Sequence, residues 1–137
     1  MPTTPTILLV DDDEVARYLS SRLLRRMGLE GQVTEAINGY EALTLLQAAC
    51  QAGQSLPTLI MLDLNMPVLN GFELLSSIAE LPPECRQGSM VIVLSSTEQP
   101  AEIAAVSSLG AEFISKPLTE VTLLRLLRQY ASYTPLG

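Results

Sequence analysis

Five short apolar runs, each stopped by polar residues and separated by stretches of helical periodicity, most constrain what this chain can become. Ile7-Leu8-Leu9-Val10 stops at Asp11, and a weaker run over 32–37 closes at the turn pair Asn38-Gly39. The run 58–62 stops at Asp63, 90–94 at Ser95-Ser96-Thr97, and 111–115 at Lys116-Pro117. Between them, Val15, Leu19, Leu23 and Met27 recur every fourth residue and predict the buried face of a helix over 14–27, ended by Gly28. Ala42, Leu43, Leu46 and Ala49 predict a second helix over 40–52, and Phe72, Leu75 and Ile78 a third over 72–81. Pro100 suits the first turn of a helix reaching Leu109, with Gly110 as its stop. Thr119 can cap a last helix that buries Val121, Leu124, Leu127 and Ala131. Residues 51–57 and 82–89 read as polar connections, 64–71 as a loop, and the tail 130–137 as undecided between packing and fraying.

Strands that are apolar nearly throughout are buried on both faces, which is the pattern of a parallel sheet covered by helices on either side. Right-handed crossovers leave few topologies for five such units. The expected fold is therefore α/β, a flavodoxin-like five-stranded parallel sheet in the order 2-1-3-4-5 with helices on both faces. With 137 residues and no repeat or linker, a single domain over 1–137 is expected, its core about 7–132, with no output domain.

Composition narrows the chemistry. The chain carries 8 basic and 15 acidic residues, a net charge of −7, and no basic tract, which argues against nucleic acid and against an anionic membrane surface as partners. No apolar run is long enough to cross a bilayer and no signal peptide is visible, so a cytoplasmic protein is expected. Cys50 and Cys85 fit no metal or redox spacing and read as free thiols in a reducing compartment. The absence of histidine removes Ser-His-Asp, Cys-His and His-ligated metal chemistry. Of the acids only 4 are Asp, namely Asp11, Asp12, Asp13 and Asp63, and Lys116 is the only lysine.

On the expected sheet these rare residues gather at one edge. Asp11, Asp12 and Asp13 follow strand 1, Asp63 follows strand 3, Ser95 strand 4 and Lys116 strand 5. Carboxylates gathered there repel one another, and at least one pKa should rise unless a cation offsets the charge. Mg²⁺ takes oxygen ligands and needs no histidine. Beside it one carboxylate can act as nucleophile towards phosphorus, with Lys116 as a point charge and the Ser95 hydroxyl on the phosphoryl oxygens. Asp13 is adequately explained as a helix cap. Arg17, Arg22, Arg25 and Arg26 on the first helix read first as a solvated face.

The motifs Leu8-Leu9-Val10-Asp11-Asp12, Leu62-Asp63-Leu64-Asn65-Met66-Pro67 with Asn70-Gly71, Val93-Leu94-Ser95-Ser96 and Lys116-Pro117, in that order at successive strand ends, resemble the receiver domain of bacterial two-component response regulators. The resemblance implies a stand-alone receiver that takes a phosphoryl group from a histidine kinase or histidine phosphotransfer protein onto Asp63 and switches a protein-interaction surface towards a downstream protein. It implies no enzyme in the ordinary sense, only autocatalytic phosphorylation and dephosphorylation. By the same resemblance Asp12 binds Mg²⁺ directly, Asp11 through water, and Asp63 and the Asn65 carbonyl complete the set, with Mn²⁺ as a substitute ion. Ser95 and Lys116 contact the phosphoryl group, Ser95 and Phe113 form the switch, the Lys116–Pro117 bond is cis, and Asn65 and Thr97 lie where side chains gate the attacking water. The first-helix region is where receivers meet a helical phosphotransfer partner, and Phe113 is equally readable as a core aromatic. Two rivals remain: a haloacid-dehalogenase-type phosphatase with Asp11 as nucleophile, and an adaptor that is never phosphorylated.

Overall fold

The computed structural model describes residues 5–66, 69–96 and 98–129. Its strands are β1 (Ile7–Val10), β2 (Val33–Ala36), β3 (Leu59–Asp63), β4 (Met90–Ser95) and β5 (Glu112–Ser115), all parallel, in the order β2-β1-β3-β4-β5. The helices are α1 (Glu14–Arg26), α2 (Gly39–Gln51), α3 (Gly71–Ala79), a single turn α4 (Pro83–Arg86), α5 (Pro100–Ser108) and α6 (Glu120–Gln129). A 3₁₀ turn, Glu30–Gln32, leads into β2.

Alternation along each strand splits the core into two layers. Leu8, Val10, Ile60, Leu62 and Val93 face one side and pack with Leu46 of α2, Leu74 and Ile78 of α3 and Val106 of α5. Ile7, Leu9, Leu59, Met61 and Ile92 face the other and pack with Leu24 of α1 and Leu123, Leu126 and Leu127 of α6. Full burial of each such side chain is worth about 1.5–3 kcal/mol relative to exposure, so the central strands anchor the domain. Both faces are covered, as the apolar runs required.

Helix ends obey local rules. The Asp13 carboxylate accepts from the Val15 N–H and starts α1, with Glu14 in its first turn and Arg25 and Arg26 in its last, matched to the helix dipole. Asn38 does more than close a turn, since its side chain accepts from Glu41 N and starts α2. Asn70 and Glu73 form a reciprocal capping box at the head of α3. The Thr119 hydroxyl accepts from Thr122 N at the start of α6.

The structure corrects several expectations. Asp63 and Ser95 are the last residues of β3 and β4 rather than the first beyond them, and 82–89 contains α4. Val15 and Leu19, expected inside, are 64% and 57% exposed, while α1 buries Leu24 with Leu23 and Met27 packed beside it. The reason is geometric. A step of four residues turns about 400°, so a strict four-residue repeat drifts about 40° per step and leaves the core face within a helix this long. The same drift, reversed for steps of three, turns Val121 of α6 outward, and Leu123 and Leu126 are buried instead. Arg17 is not a member of a solvated face, because its side chain lies inward against β1 and β2. Cys50 and Cys85 are not free thiols; they form a disulfide with Cα atoms 5.5 Å apart. Their separation of 35 residues hid that the end of α2 and the connector before β4 meet at the same edge of the sheet. Pro67, Thr97, Ala131 and the tail 130–137 lie outside the described residues.

Candidate functional site

β1 and β3 are neighbours whose following segments leave in opposite directions across the sheet, and their carboxyl ends therefore open a crevice. Asp11 and Asp63 stand at its two sides and are both buried, while Asp12 is exposed. One carboxylate oxygen from each of the three lies within 4.8 Å of the others. From β5, the Lys116 ammonium reaches across to within 3.4 Å of Asp63 Oδ1 and 3.8 Å of Asp11 Oδ2. Ser95, fully buried, occupies the intervening end of β4.

Backbone contacts hold this arrangement. Asp11 Oδ1 accepts from Asp13 N at 2.9 Å, and Asp63 Oδ1 from Asn65 N at 3.3 Å. Lys116 N donates to the Ser95 carbonyl at 3.0 Å, and the Lys116–Pro117 peptide is cis, as the resemblance implied. Arg17 donates from Nη1 to the Asp11 carbonyl at 2.7 Å and pairs through Nε with Glu35 at 3.4 Å, tying α1 to the ends of β1 and β2. Nothing in the sequence marks Arg17 apart from the other arginines of α1; its role emerges only when the helix is docked.

Two glycines let the surrounding loops close. A Cβ at Gly71 would lie 2.6 Å from both the Asp63 carbonyl oxygen and Leu64 Cα, so only glycine lets α3 begin against the end of β3. A Cβ at Gly39 would lie 2.5 Å from the Leu69 carbonyl oxygen, which seats the head of α2 on the loop between β3 and α3. Each follows an asparagine already legible as turn chemistry, but the reason for glycine is close approach and not a positive φ.

Burial pushes the Asp11 carboxyl above the usual carboxylate range, and the negative charges of Asp63 and Asp12 add to the rise. The Asp13 N–H and the Lys116 ammonium oppose it. Charge repulsion was expected to raise a carboxylate here; desolvation proves the larger cause. A site that disfavours its own negative charge, and whose clustered donors are all hard oxygens, fits a divalent cation such as Mg²⁺.

Asp11, Asp12, Asp63 and Lys116 are thus brought together, with Ser95 on the adjoining strand end and Asn65 in the loop that follows β3. An open groove lined by Asp12, Asn65, Met66, Asn70 and Phe72 adjoins them. Phe113 stands apart. It pairs in register with Val93 and packs against the core layer that contains Val106.

The profile of the response regulator receiver domain matches residues 7–128. The chain belongs to this family. Among curated proteins, it is 33% identical over 129 residues to an uncharacterized 14.6 kDa protein of Leptolyngbya boryana, covering 94% of this chain and 92% of that one. Among solved structures it resembles a two-component response regulator from Cytophaga hutchinsonii (28% identity, TM-score 0.77, 91% of this chain and 95% of that one). It likewise resembles the chemotaxis protein CheY4 of Vibrio cholerae (28% identity, TM-score 0.73, 93% and 99%). Receiver domains are phosphoacceptor signalling domains of two-component systems, bind Mg²⁺ at an acidic group and take phosphate from histidine kinases. This membership decides between receiver and haloacid-dehalogenase-type phosphatase in favour of the receiver. Among the described residues, no helix is long and apolar enough to cross a membrane.

Proposed function

We propose that Asp63 is the phosphoacceptor of this receiver. The observation that carries the assignment is its position: a buried carboxylate at the end of β3, 3.4 Å from the only lysine and within the three-carboxylate cluster at the crevice. An Asp63 oxygen attacks phosphorus in line, a P–N bond to a phosphohistidine breaks, and the imidazole leaves with the bonding pair. None of the 137 residues is a histidine, so the donor, a histidine kinase or histidine phosphotransfer protein, lies outside them.

Asp12, Asp63 and the Asn65 carbonyl would hold Mg²⁺ or Mn²⁺ directly and Asp11 through water, and the ion would neutralise phosphoryl charge. Lys116 stabilises the phosphoryl oxygens as a point charge, and the Ser95 hydroxyl donates to one of them. The acyl phosphate adds about −1.5 to −2 charge beside both groups. Drawing Ser95 towards it vacates space for Phe113 and favours a second arrangement of the β4–α5–β5 face, through which a downstream protein reads the state. The same cluster supports autophosphorylation from small acyl phosphates and autodephosphorylation, with Asn65, two residues beyond Asp63 in the chain, gating the water. The cytoplasm, where phosphohistidine donors operate, is the fitting location.

The donor docks on α1. Val15, Tyr18 and Leu19 are 64%, 60% and 57% exposed at i, i+3, i+4 spacing. Leu19 also lines a cavity of about 170 Å³ shared with Asp11, Leu94, Lys116 and Pro117, so this apolar stripe runs directly to the site. An amphipathic donor helix laid there brings its phosphohistidine to Asp63.

Mass spectrometry after incubation with acetyl phosphate and Mg²⁺ tests the acceptor. The native chain should gain one phosphoryl group and Asp63→Asn none; undiminished labelling of Asp63→Asn would move the acceptor elsewhere, and a native chain that gains none would favour the adaptor that is never phosphorylated.

A further inference from the structure

The strands point their carboxyl ends at the carboxylate cluster, so every helix returns the chain to the opposite edge of the sheet. There Cys50, in the last turn of α2, meets Cys85 in α4, and the two form a disulfide. Their Cα atoms are 5.5 Å apart, inside the range a disulfide spans without moving backbone. The cross-link closes a loop that contains β3, Asp63, the acceptor loop and α3. Its position is remote from the chemistry, because the length of β3, about 15 Å, separates the two edges.

The fold does not depend on this bridge. The connector carrying Cys85 has its own anchors: Arg86 Nε donates to the Leu81 carbonyl at 2.9 Å, and Ser89 Oγ to the Pro57 carbonyl at 2.6 Å. Met90 N donates to the Thr58 carbonyl at 2.8 Å, and two buried core layers close over the sheet. A domain of this size with such a core needs no staple. Both cysteines are only partly buried, so a small thiol or disulfide can reach them.

We propose that Cys50 and Cys85 are a reversible redox pair, opened and closed by exchange with a low-molecular-weight thiol and its disulfide, that sets the stability of the receiver without touching its acceptor site. In the closing direction one cysteine thiolate attacks a glutathione disulfide and expels one glutathione thiolate. The second cysteine thiolate then attacks the mixed disulfide and expels the protein-bound glutathione. Two protein thiols are oxidised, one glutathione disulfide is reduced to two thiols, and the cysteine protons pass to those thiols. Opening is the reverse. The oxidised domain is clamped from α2 to α4, and the reduced one holds the same topology with the clamp released.

The test equilibrates the full chain in glutathione buffers from mostly oxidised to mostly reduced. Alkylation with mass spectrometry then counts free thiols, and melting temperature is read in parallel. The two thiols should appear and disappear together as an intramolecular pair within this range. The oxidised form should melt about 10 °C higher, from the entropy of the loop it closes. Cys50→Ser should abolish the difference, and if that variant does not fold, reduced and alkylated native chain against the oxidised chain serves the same comparison. Two free thiols at every ratio, a bridge that survives every ratio, stable glutathione adducts, disulfide-linked dimers or equal melting temperatures would each overturn the proposal. None of these readouts depends on whether Asp63 accepts phosphate.

Discussion

Adding one methyl group at Gly71 probes how the end of β3 is held. A Cβ there would stand 2.6 Å from the Asp63 carbonyl oxygen and from Leu64 Cα, and 3.1 Å from Leu64 Cδ2. The side-chain atom can rotate away, but the first two are backbone, and relieving them requires the head of α3 or the end of β3 to shift. Overpacking of this kind costs about 1–3 kcal/mol, with two backbone clashes placing Gly71→Ala near the upper end. Alanine recovers about 0.4–1 kcal/mol by restricting the unfolded chain, which leaves a net loss of about 2 kcal/mol. Urea unfolding followed by circular dichroism should show the midpoint fall by about 1 M at an unchanged slope. Because Gly71 N also bonds the Leu64 carbonyl at 2.9 Å, the shift reaches Asp63 directly, and phosphoryl uptake should slow by more than about tenfold. Gly31→Ala is the control, since its Cβ would meet nothing within 4 Å, and its stability should match the native chain or exceed it by up to about 1 kcal/mol. If Gly71→Ala matched the native chain in both midpoint and uptake, the claim that glycine is needed for the approach of α3 to β3 would be wrong.

Two further outcomes follow from the site and its surroundings. Burial raises the folded-state pKa of Asp11 above its unfolded value, so the native state holds the extra proton between the two; metal-free stability therefore falls as pH rises through that window and stays lower above it. Asp11→Asn should accordingly unfold at higher urea than the native chain at pH 7 in EDTA, with the advantage vanishing below the unfolded pKa, and a less stable variant at pH 7 would contradict this sign. Val15→Ser combined with Leu19→Ser alters exposed positions, so stability should change by less than about 0.5 kcal/mol and labelling by acetyl phosphate should be preserved. Transfer from a phosphohistidine protein should slow by about tenfold or more, and equal slowing with both donors would place the defect in the site instead of the docking face.

β1, β3 and β4 were legible because burial leaves a nearly unbroken apolar run that closes on Asp11, Asp63 or Ser95, and the order because right-handed crossovers leave few topologies. The acidic edge was legible for the related reason that Asp and Lys occur almost nowhere else in the chain. What could not be read involves contacts between segments distant in the chain. Arg17 looks like its neighbours until α1 lies across the end of β1, and Cys50 and Cys85 lack any spacing motif because the sheet, not the sequence, brings them together. The bridge also shows why cysteine count alone is a poor guide to thiol state.

The misread face of α1 carries more information than the correctly read strands. Apolar residues at a four-residue repeat fit a core stripe, yet the helix docks through Leu23, Leu24 and Met27 and leaves Val15, Tyr18 and Leu19 in solvent. Exposing three large apolar side chains together works against solubility and gains the isolated fold nothing. Local pattern and global packing conflict here, and such conflicts concentrate where function has set the sequence. The conflict lies on the first half of α1, beside the cavity that leads to Lys116 and Asp11, and is absent from the second half, where Leu24 is fully buried. A surface patterned only for solubility would place its apolar residues without regard to that cavity. Leu19 stands at its rim with Val15 and Tyr18 beside it on the helix, which is the placement the proposed donor docking requires.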